Sequence, residues 1–172
     1  MQLGLTRPLQ AFLKSPLPPC RESPDLAFCW ELHLLRTAGR RGLLLVNASN
    51  RFAIYLHALQ KPEWDRLPGL AAEQIVRALE QADVPRPWVD RYRQAAGAPE
   101  LTGTHGRKTV AGLNRVVDGL RFFEAHLDAG SMEQPTLDAL LNKIPCHAAG
   151  FTEFRDAMGF LYADLERLFS GQ

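Results

Sequence analysis

The chain has 172 residues and a formal charge of +1, from 20 basic and 19 acidic side chains. This length suits one domain with one hydrophobic core, which needs neither a disulfide nor a metal for its stability. The near balance of charge excludes a polybasic protein that neutralises nucleic-acid phosphates over its whole surface, although a local basic site remains compatible with it.

The cysteines and the first residues indicate where the protein is found. Cys20, Cys29 and Cys146 are far apart and form no CxxC pair, as expected for reduced thiols in a cytoplasm. Residues 1–19 lack the basic start and the apolar run of a signal peptide, and no stretch approaches the ~20 apolar residues that span a bilayer. We therefore expect a soluble cytoplasmic protein.

The first elements in the chain are a short strand and a short helix. Residues 2–5 are apolar enough for a strand, and Thr6 followed by Pro8 is typical of a helix start. This helix is predicted to run through Leu13. The four prolines of residues 15–24 then predict an extended connector, because proline fits neither a helix interior nor a central strand.

Three strands are predicted next. Residues 28–35 alternate between two faces, residues 43–46 are a short apolar run, and residues 52–56 repeat the alternation. The glycines within residues 37–42 and the asparagines within residues 47–50 predict the two turns between them. The pattern predicts a small three-stranded antiparallel meander.

Helical periodicity begins after Pro62 and continues to the end of the chain. The predicted elements are helices at 67–83, 88–96, 107–130, 135–141 and 151–169, with one short strand at 100–104. The sequence therefore predicts one α+β domain spanning residues 1–172. Its N-terminal strand, helix and antiparallel meander occupy residues 1–60, and the helices packed against the meander occupy residues 61–172.

Several motifs occur in an order that is found in a known family. They are Thr6-Arg7-Pro8-Leu9, Leu43-Leu44-Leu45-Val46-Asn47 before Phe52-Ala53-Ile54, and Gly106-Arg107-Lys108-Thr109-Val110-Ala111-Gly112-Leu113-Asn114. Over roughly residues 1–128 the chain resembles a bacterial family catalogued only as a domain of unknown function. The resemblance implies a fold and a bacterial origin, and it implies no activity.

The start of the long helix is a candidate anion-binding site. Unpaired backbone N–H groups at a helix start attract anions, and Arg107 and Lys108 would add charged donors. Thr104 and Asn114 are further candidates to contact a bound phosphate. The alternative is that Thr104 caps the helix, that Asn114 bonds a neighbouring loop and that the basic pair is solvated.

Three histidines are candidates for acid-base chemistry. His33 and His57 fall on strands that we expect to be neighbours, and His105 would approach them if the long helix starts beside the sheet. Together with Arg107 and Lys108 they would suit a metal-independent ribonuclease. The alternative is that each histidine is structural. Because the chain has no HExxH motif, Cys/His cluster or paired aspartates, we expect neither a metal ion nor another cofactor.

The last helix is a candidate partner-binding surface. Its apolar residues include Phe154, Met158, Leu161 and Leu165, which form a wider apolar stripe than a small sheet needs to cover. Such a stripe would dock a protein partner or a second copy of the chain. The alternative is that these residues belong to the core.

Two functions follow from these observations. The first is a non-enzymatic regulatory or protein-interaction module, in a bacterial defence, toxin-antitoxin or mobile-element setting. The alternative is a phosphate-binding or RNA-binding protein, or a metal-independent ribonuclease, centred on His105, Arg107 and Lys108. The near-neutral charge and the lack of a complete catalytic motif favour the first.

Overall fold

The structure is a computed structural model, and it describes residues 1–14 and 25–170. A five-stranded mixed sheet lies at its centre. The predicted connector, with Cys20 in it, lies outside the described residues. The strands are β1 (Gln2–Leu5), β2 (Cys29–Thr37), β3 (Arg40–Asn47), β4 (Ala53–Leu56) and β5 (Glu100–Gly103), in the spatial order β4-β3-β2-β1-β5.

The α+β class is confirmed and the predicted antiparallel meander corresponds to β2–β4, but the sheet as a whole is mixed and not purely antiparallel. Strands β2, β3 and β4 are antiparallel neighbours, whereas β1 pairs in parallel with both β2 and β5. The parallel pairing is possible because of the connections between the strands. Helical segments lie between β1 and β2 and between β4 and β5, and crossovers of this kind allow strands to run parallel.

The helices account for most of the remaining described chain. They are α1 (Arg7–Leu13), α2 (Lys61–Asp65), α3 (Leu67–Gln81), α4 (Arg86–Ala96), α5 (Arg107–Phe122), α6 (Pro135–Asn142) and α7 (Ala157–Phe169). A small hairpin of β6 (Pro145–His147) and β7 (Phe154–Asp156) precedes α7. The last helix therefore begins later than predicted, where the Asp156 side chain accepts a hydrogen bond from the Gly159 N–H at 2.7 Å. In the described part of the chain, no helix is both long and apolar enough to cross a membrane.

The sheet is covered on both faces. On β3, Leu43 and Leu45 pack with the helices α1 to α4 and α7, while Leu44 and Val46 face α5 and α6. This follows from the alternation of side chains along a strand. The helix α5 consequently lies over one face of the sheet, with its start near β2 and its middle above the turn that follows β3.

Polar side chains of α6 cover the outer edge of β4. Asn142 accepts a hydrogen bond from the Ala53 N–H at 2.7 Å and donates one to the Ala53 carbonyl at 2.8 Å. Asp138 accepts one from the Tyr55 N–H at 2.8 Å. These bonds satisfy backbone groups that an edge strand would otherwise leave unpaired.

Replacing Asn142 with alanine is expected to lower the free energy of unfolding by about 2–4 kcal/mol, because two buried backbone groups of Ala53 lose their partner. Urea denaturation measures this change. The matched control is Asn114→Ala on the exposed surface of α5, which should have little effect. Equal stability of the two variants would contradict the role given to Asn142.

Candidate functional site

The turn after β3 places Arg51 in an unusual backbone conformation. The Asn47 side chain accepts hydrogen bonds from the N–H groups of Ser49 and Asn50, at 2.9 and 3.2 Å, and Asn50 accepts one from the Phe52 N–H at 3.0 Å. Arg51 has a φ of 64°, in the left-handed region that long side chains seldom occupy. The turn therefore directs a long basic side chain inward at a cost in backbone strain.

The Arg51 guanidinium is buried, with only 9% of the residue exposed. Its Nη1 donates to the His147 carbonyl at 2.8 Å and its Nη2 to the Gly112 carbonyl at 2.7 Å. Among the described residues, its Nε has no hydrogen-bond partner and no carboxylate forms an ion pair with it. Burial lowers the pKa of Arg51; the nearby Cys146 sulfur opposes this shift, and the Arg115 guanidinium adds to it. In the described part of the chain this positive charge is therefore held by carbonyl oxygens and is not neutralised by a carboxylate.

Arg51 lines a cavity of about 740 Å³ between α5 and the β6–β7 hairpin. Lys108 and Arg115 also line it. Asp118 is the one acidic side chain among the described residues of its wall. The apolar part of the wall includes Val116, Leu141, Ile144, Phe151 and Phe154. The cavity therefore combines three cationic side chains with a largely apolar surface.

Gly112 allows Arg51 to pack closely against α5. A Cβ atom at this position would lie 3.2 Å from the Arg51 Nε, so the glycine leaves room for the guanidinium against α5. Lys108 and Arg115 lie four residues before and three residues after Gly112, which places them on the same side of the helix. This arrangement is suited to an anion.

A second polar cluster surrounds His105 at the start of α5. The His105 side chain is 2% exposed and its Nδ1 lies 3.2 Å from the Oε1 of Glu31, which is 0% exposed. The same oxygen accepts hydrogen bonds from the His105 backbone N–H at 2.8 Å and from the Thr109 hydroxyl at 2.6 Å, while the His105 Nε2 lies 3.0 Å from the Gln2 Oε1. Burial lowers the pKa of His105, but hydrogen bonds with Cys29 and Glu31 outweigh it and raise the pKa to about 9. His105 and Glu31 thus form a buried ion pair.

The other two candidate histidines have different partners. His33 Nδ1 lies 2.9 Å from the Thr6 hydroxyl, and burial is the main cause that lowers the His33 pKa. His57 Nδ1 lies 3.1 Å from the Thr37 hydroxyl. As far as the described residues show, none of the three histidines lines the cavity. Each of them belongs to a hydrogen-bonded set of its own.

Of the four candidate anion-binding residues, Lys108 lines the cavity. Arg107 and Asn114 are exposed on α5, and neither is part of the cavity wall that the structure describes. Thr104 does not occupy the N-cap position of α5, which belongs to Gly106 with a φ of 123°. A glycine is favoured there because that backbone conformation is unfavourable for residues with a Cβ.

The predicted partner-binding stripe is divided between core and surface. Leu161 and Leu165 are 2% and 0% exposed and belong to the main core. Met158 is partly buried and packs against that core, whereas Phe154 on β7 is 64% exposed. Most of this stripe therefore packs within the chain itself.

Sequence reasoning did not identify Arg51, Arg115 or Glu31. Glu31 carries the clearest signal, since it is a charged residue between Trp30 and Leu32 in a strand that is otherwise rich in apolar residues. Arg51 follows a polar turn, where an exposed arginine is the ordinary expectation. Its burial depends on contacts with distant carbonyl groups.

The comparisons with known proteins give a family and no activity. The model of the family described as "Domain of unknown function (DUF6933)" matches residues 2–156. This confirms the resemblance predicted from the sequence motifs and extends it through the β6–β7 hairpin. No curated protein and no solved structure matches the chain.

Proposed function

The chain belongs to the family of the Domain of unknown function (DUF6933), and we propose that it binds a small anionic ligand in the cavity beside α5. The ligand carries a phosphate or carboxylate group on an apolar body. The observation that carries this proposal is the buried Arg51 guanidinium, which contacts two carbonyl oxygens and no acidic side chain of the described chain.

The electrostatics of Arg51 favour an anion. A buried charge is costly unless an opposite charge or several hydrogen bonds compensate it, and Arg115 adds a like charge nearby. An anion in the cavity would supply the missing negative charge. Part of its binding free energy would thus come from removing a cost that the unliganded protein already bears.

The cavity also indicates the size and character of the ligand. Its volume of about 740 Å³ lies in the usual range for small-molecule sites, roughly 300–1,000 Å³. Guanidinium and ammonium groups form strong charge-assisted hydrogen bonds with phosphate and carboxylate oxygens. The apolar wall suits an aromatic or aliphatic portion. A phosphorylated or carboxylated ring compound meets both requirements.

This proposal develops the predicted phosphate-binding alternative and assigns no catalytic step. His105 holds both ring nitrogens in the buried cluster with Glu31 and Gln2, so it has no free nitrogen to offer a substrate. A ribonuclease centred on His105, Arg107 and Lys108 stays a prediction without support from this geometry.

Calorimetric titration with phenyl phosphate, inorganic phosphate, benzoate and acetate tests the proposal. We expect the ring compounds to bind more tightly than the simple ions, because they also bury apolar surface. Lys108→Gln and Arg115→Gln are each expected to weaken binding about tenfold, the equivalent of about 1.4 kcal/mol.

Arg107→Gln is the matched control, since it removes a neighbouring charge on α5 that is equally exposed but lies outside the cavity wall as the structure describes it. It should leave the affinity unchanged. The proposal fails if none of the four anions binds, or if Arg107→Gln weakens binding as much as the two variants in the cavity.

A second candidate function is the predicted protein-interaction module. Two large apolar side chains favour it, Phe122 at 81% and Phe154 at 64% exposure. The simplest partner for these exposed side chains is a second copy of the chain. Light scattering at increasing protein concentration tests it, and a mass that stays monomeric at every concentration would oppose it. The predicted defence, toxin-antitoxin or mobile-element setting stays a prediction.

A further inference from the structure

The turn between β2 and β3 carries a second concentration of positive charge, away from the cavity beside α5. Arg36, Arg40 and Arg41 are exposed there, at the edge of a groove of about 490 Å³. Lys61 at the start of α2 also lines the groove and forms an ion pair with Asp65 at 2.6 Å. Asp65 also lines the groove and offsets Lys61, so the three arginines give the groove its net positive charge in a protein whose formal charge is only +1.

The arginines lie on a two-stranded ribbon that extends beyond the neighbouring strands. Strand β1 pairs only with residues 29–32 of β2, and β4 pairs only with residues 43–46 of β3. The end of the β2–β3 hairpin consequently has no strand on either side. Its last pairs place Arg36 directly opposite Arg41 and Thr37 directly opposite Arg40.

The ribbon arginines have little compensating charge. At the tip of the ribbon, Glu124 accepts a hydrogen bond from the Ala38 backbone N–H at 3.2 Å, without an ion pair to an arginine. Like charges directly opposite each other in an antiparallel pair are destabilising. No ion pair within the described part of the chain involves Arg36, Arg40 or Arg41. The Arg41 guanidinium lies 5.0 Å from the centre of the Phe12 ring, which holds it at the groove without neutralising it.

We propose that this ribbon binds the phosphate backbone of a nucleic acid. The planar fork of arginine matches the oxygens of a phosphate, and three such groups need a partner that is densely charged. A nucleic-acid strand carries a phosphate about every 3.4 Å along its axis. An extended acidic peptide is a poorer match, because its carboxylates are single charges on separate flexible side chains, whereas every nucleotide supplies a phosphate that is fixed in the backbone.

The chemistry of the groove also determines the character of the binding. Contacts to phosphates position a nucleic acid without reading its sequence. Binding at the ribbon is therefore dependent on salt and largely independent of base sequence. Binding at the ribbon is also independent of the small-anion site, since none of the three arginines is among the described residues that line the cavity beside α5.

Fluorescence anisotropy with a short labelled single strand and the matching duplex tests the proposal and shows which form binds. The affinity is measured between ~50 and ~200 mM salt, and log affinity falls as log salt rises. The double variant Arg36→Gln/Arg40→Gln loses two phosphate contacts, so its slope should be shallower than that of the wild type by about 1.4–1.8. At low salt its affinity should decrease at least about tenfold. The variant retains Arg41, so the contact with Phe12 is unchanged.

The control Arg93→Gln/Arg121→Gln removes the same number of charges from exposed positions on α4 and α5. The proposal is overturned if neither nucleic acid binds, or if the control loses as much affinity as the ribbon variant. Tight binding of poly-glutamate without binding of nucleic acid would also overturn it in favour of an acidic protein partner. The ribbon variant should still bind phenyl phosphate, which separates this result from that of the cavity.

Discussion

Replacing His105 with leucine is expected to lower the free energy of unfolding by about 3–5 kcal/mol near neutral pH. The substitution leaves the fully buried Glu31 carboxylate without the imidazolium that pairs with it. The Glu31 Oε2 already has no hydrogen-bond partner among the described residues, so the buried charge would be left with the bonds that Oε1 accepts from the Thr109 hydroxyl and the backbone N–H of residue 105. Urea denaturation of the two proteins measures the loss.

Two further variants separate the ion pair from simple packing. His126→Leu replaces an exposed histidine and should change the stability little. The double variant His105→Leu/Glu31→Leu should recover most of the loss, because an apolar pair can replace a buried ion pair at little net cost. A loss below ~1 kcal/mol in the single variant would contradict this account of the pair.

The same pair predicts how stability depends on pH. Folding raises the pKa of His105 from its ordinary value of 6.5 to about 9, so the folded protein binds the proton more tightly than the unfolded chain. The contribution of His105 is therefore complete below pH 6.5 and is lost as the pH rises through about 9. The stability difference between the wild type and His105→Leu should decrease over this range. A difference that grows with pH would have the wrong sign.

Replacing Arg51 with methionine is expected to reduce the affinity for phenyl phosphate by at least ~30-fold. Removing one member of a buried charge pair costs about 2–5 kcal/mol, and 1.4 kcal/mol corresponds to a factor of ten. Arg51→Lys keeps the charge and loses the planar fork, so it should retain an intermediate affinity. Calorimetric titration measures both.

Arg51 also bonds the carbonyl groups of Gly112 and His147, so the stability of each variant is measured in parallel. The informative result is a folded Arg51→Met protein that no longer binds. A folded variant with unchanged affinity would place the anion elsewhere. The Lys108 and Arg115 variants keep the proposal testable if Arg51→Met does not fold.

The local sequence predicted the elements whose pattern is long enough to show a period. The alternating residues 28–35 fall largely in β2, and the positions from Val110 to Leu120 repeat along α5. Strands β1 and β5 have four residues each, and their parallel pairing depends on how the helical connections cross the sheet. Likewise, Phe154 begins a strand because its partner is His147, which the local pattern does not reveal.

The candidate site was less predictable than the fold. Lys108 was identified from the helix start, but it lines the cavity together with Arg115, on the same side of α5. Arg51 gave no local signal, because the carbonyl groups that hold it are 61 and 96 residues away in the chain. The burial of His105 depends on Glu31, 74 residues earlier. Contacts over such distances are a property of the tertiary structure.

The most direct test of the anion site is the NMR signal of the Arg51 guanidinium during titration with phenyl phosphate. The signal is assigned by its disappearance in Arg51→Met. If the cavity binds the anion, this Nε–Hε resonance shifts saturably, with the affinity that calorimetry gives, and Arg115→Gln moves the midpoint to a higher concentration. If phenyl phosphate binds while the Arg51 resonance stays in place, or if the resonance does not respond at any concentration, the buried guanidinium is not a ligand-binding group and the proposed function is wrong.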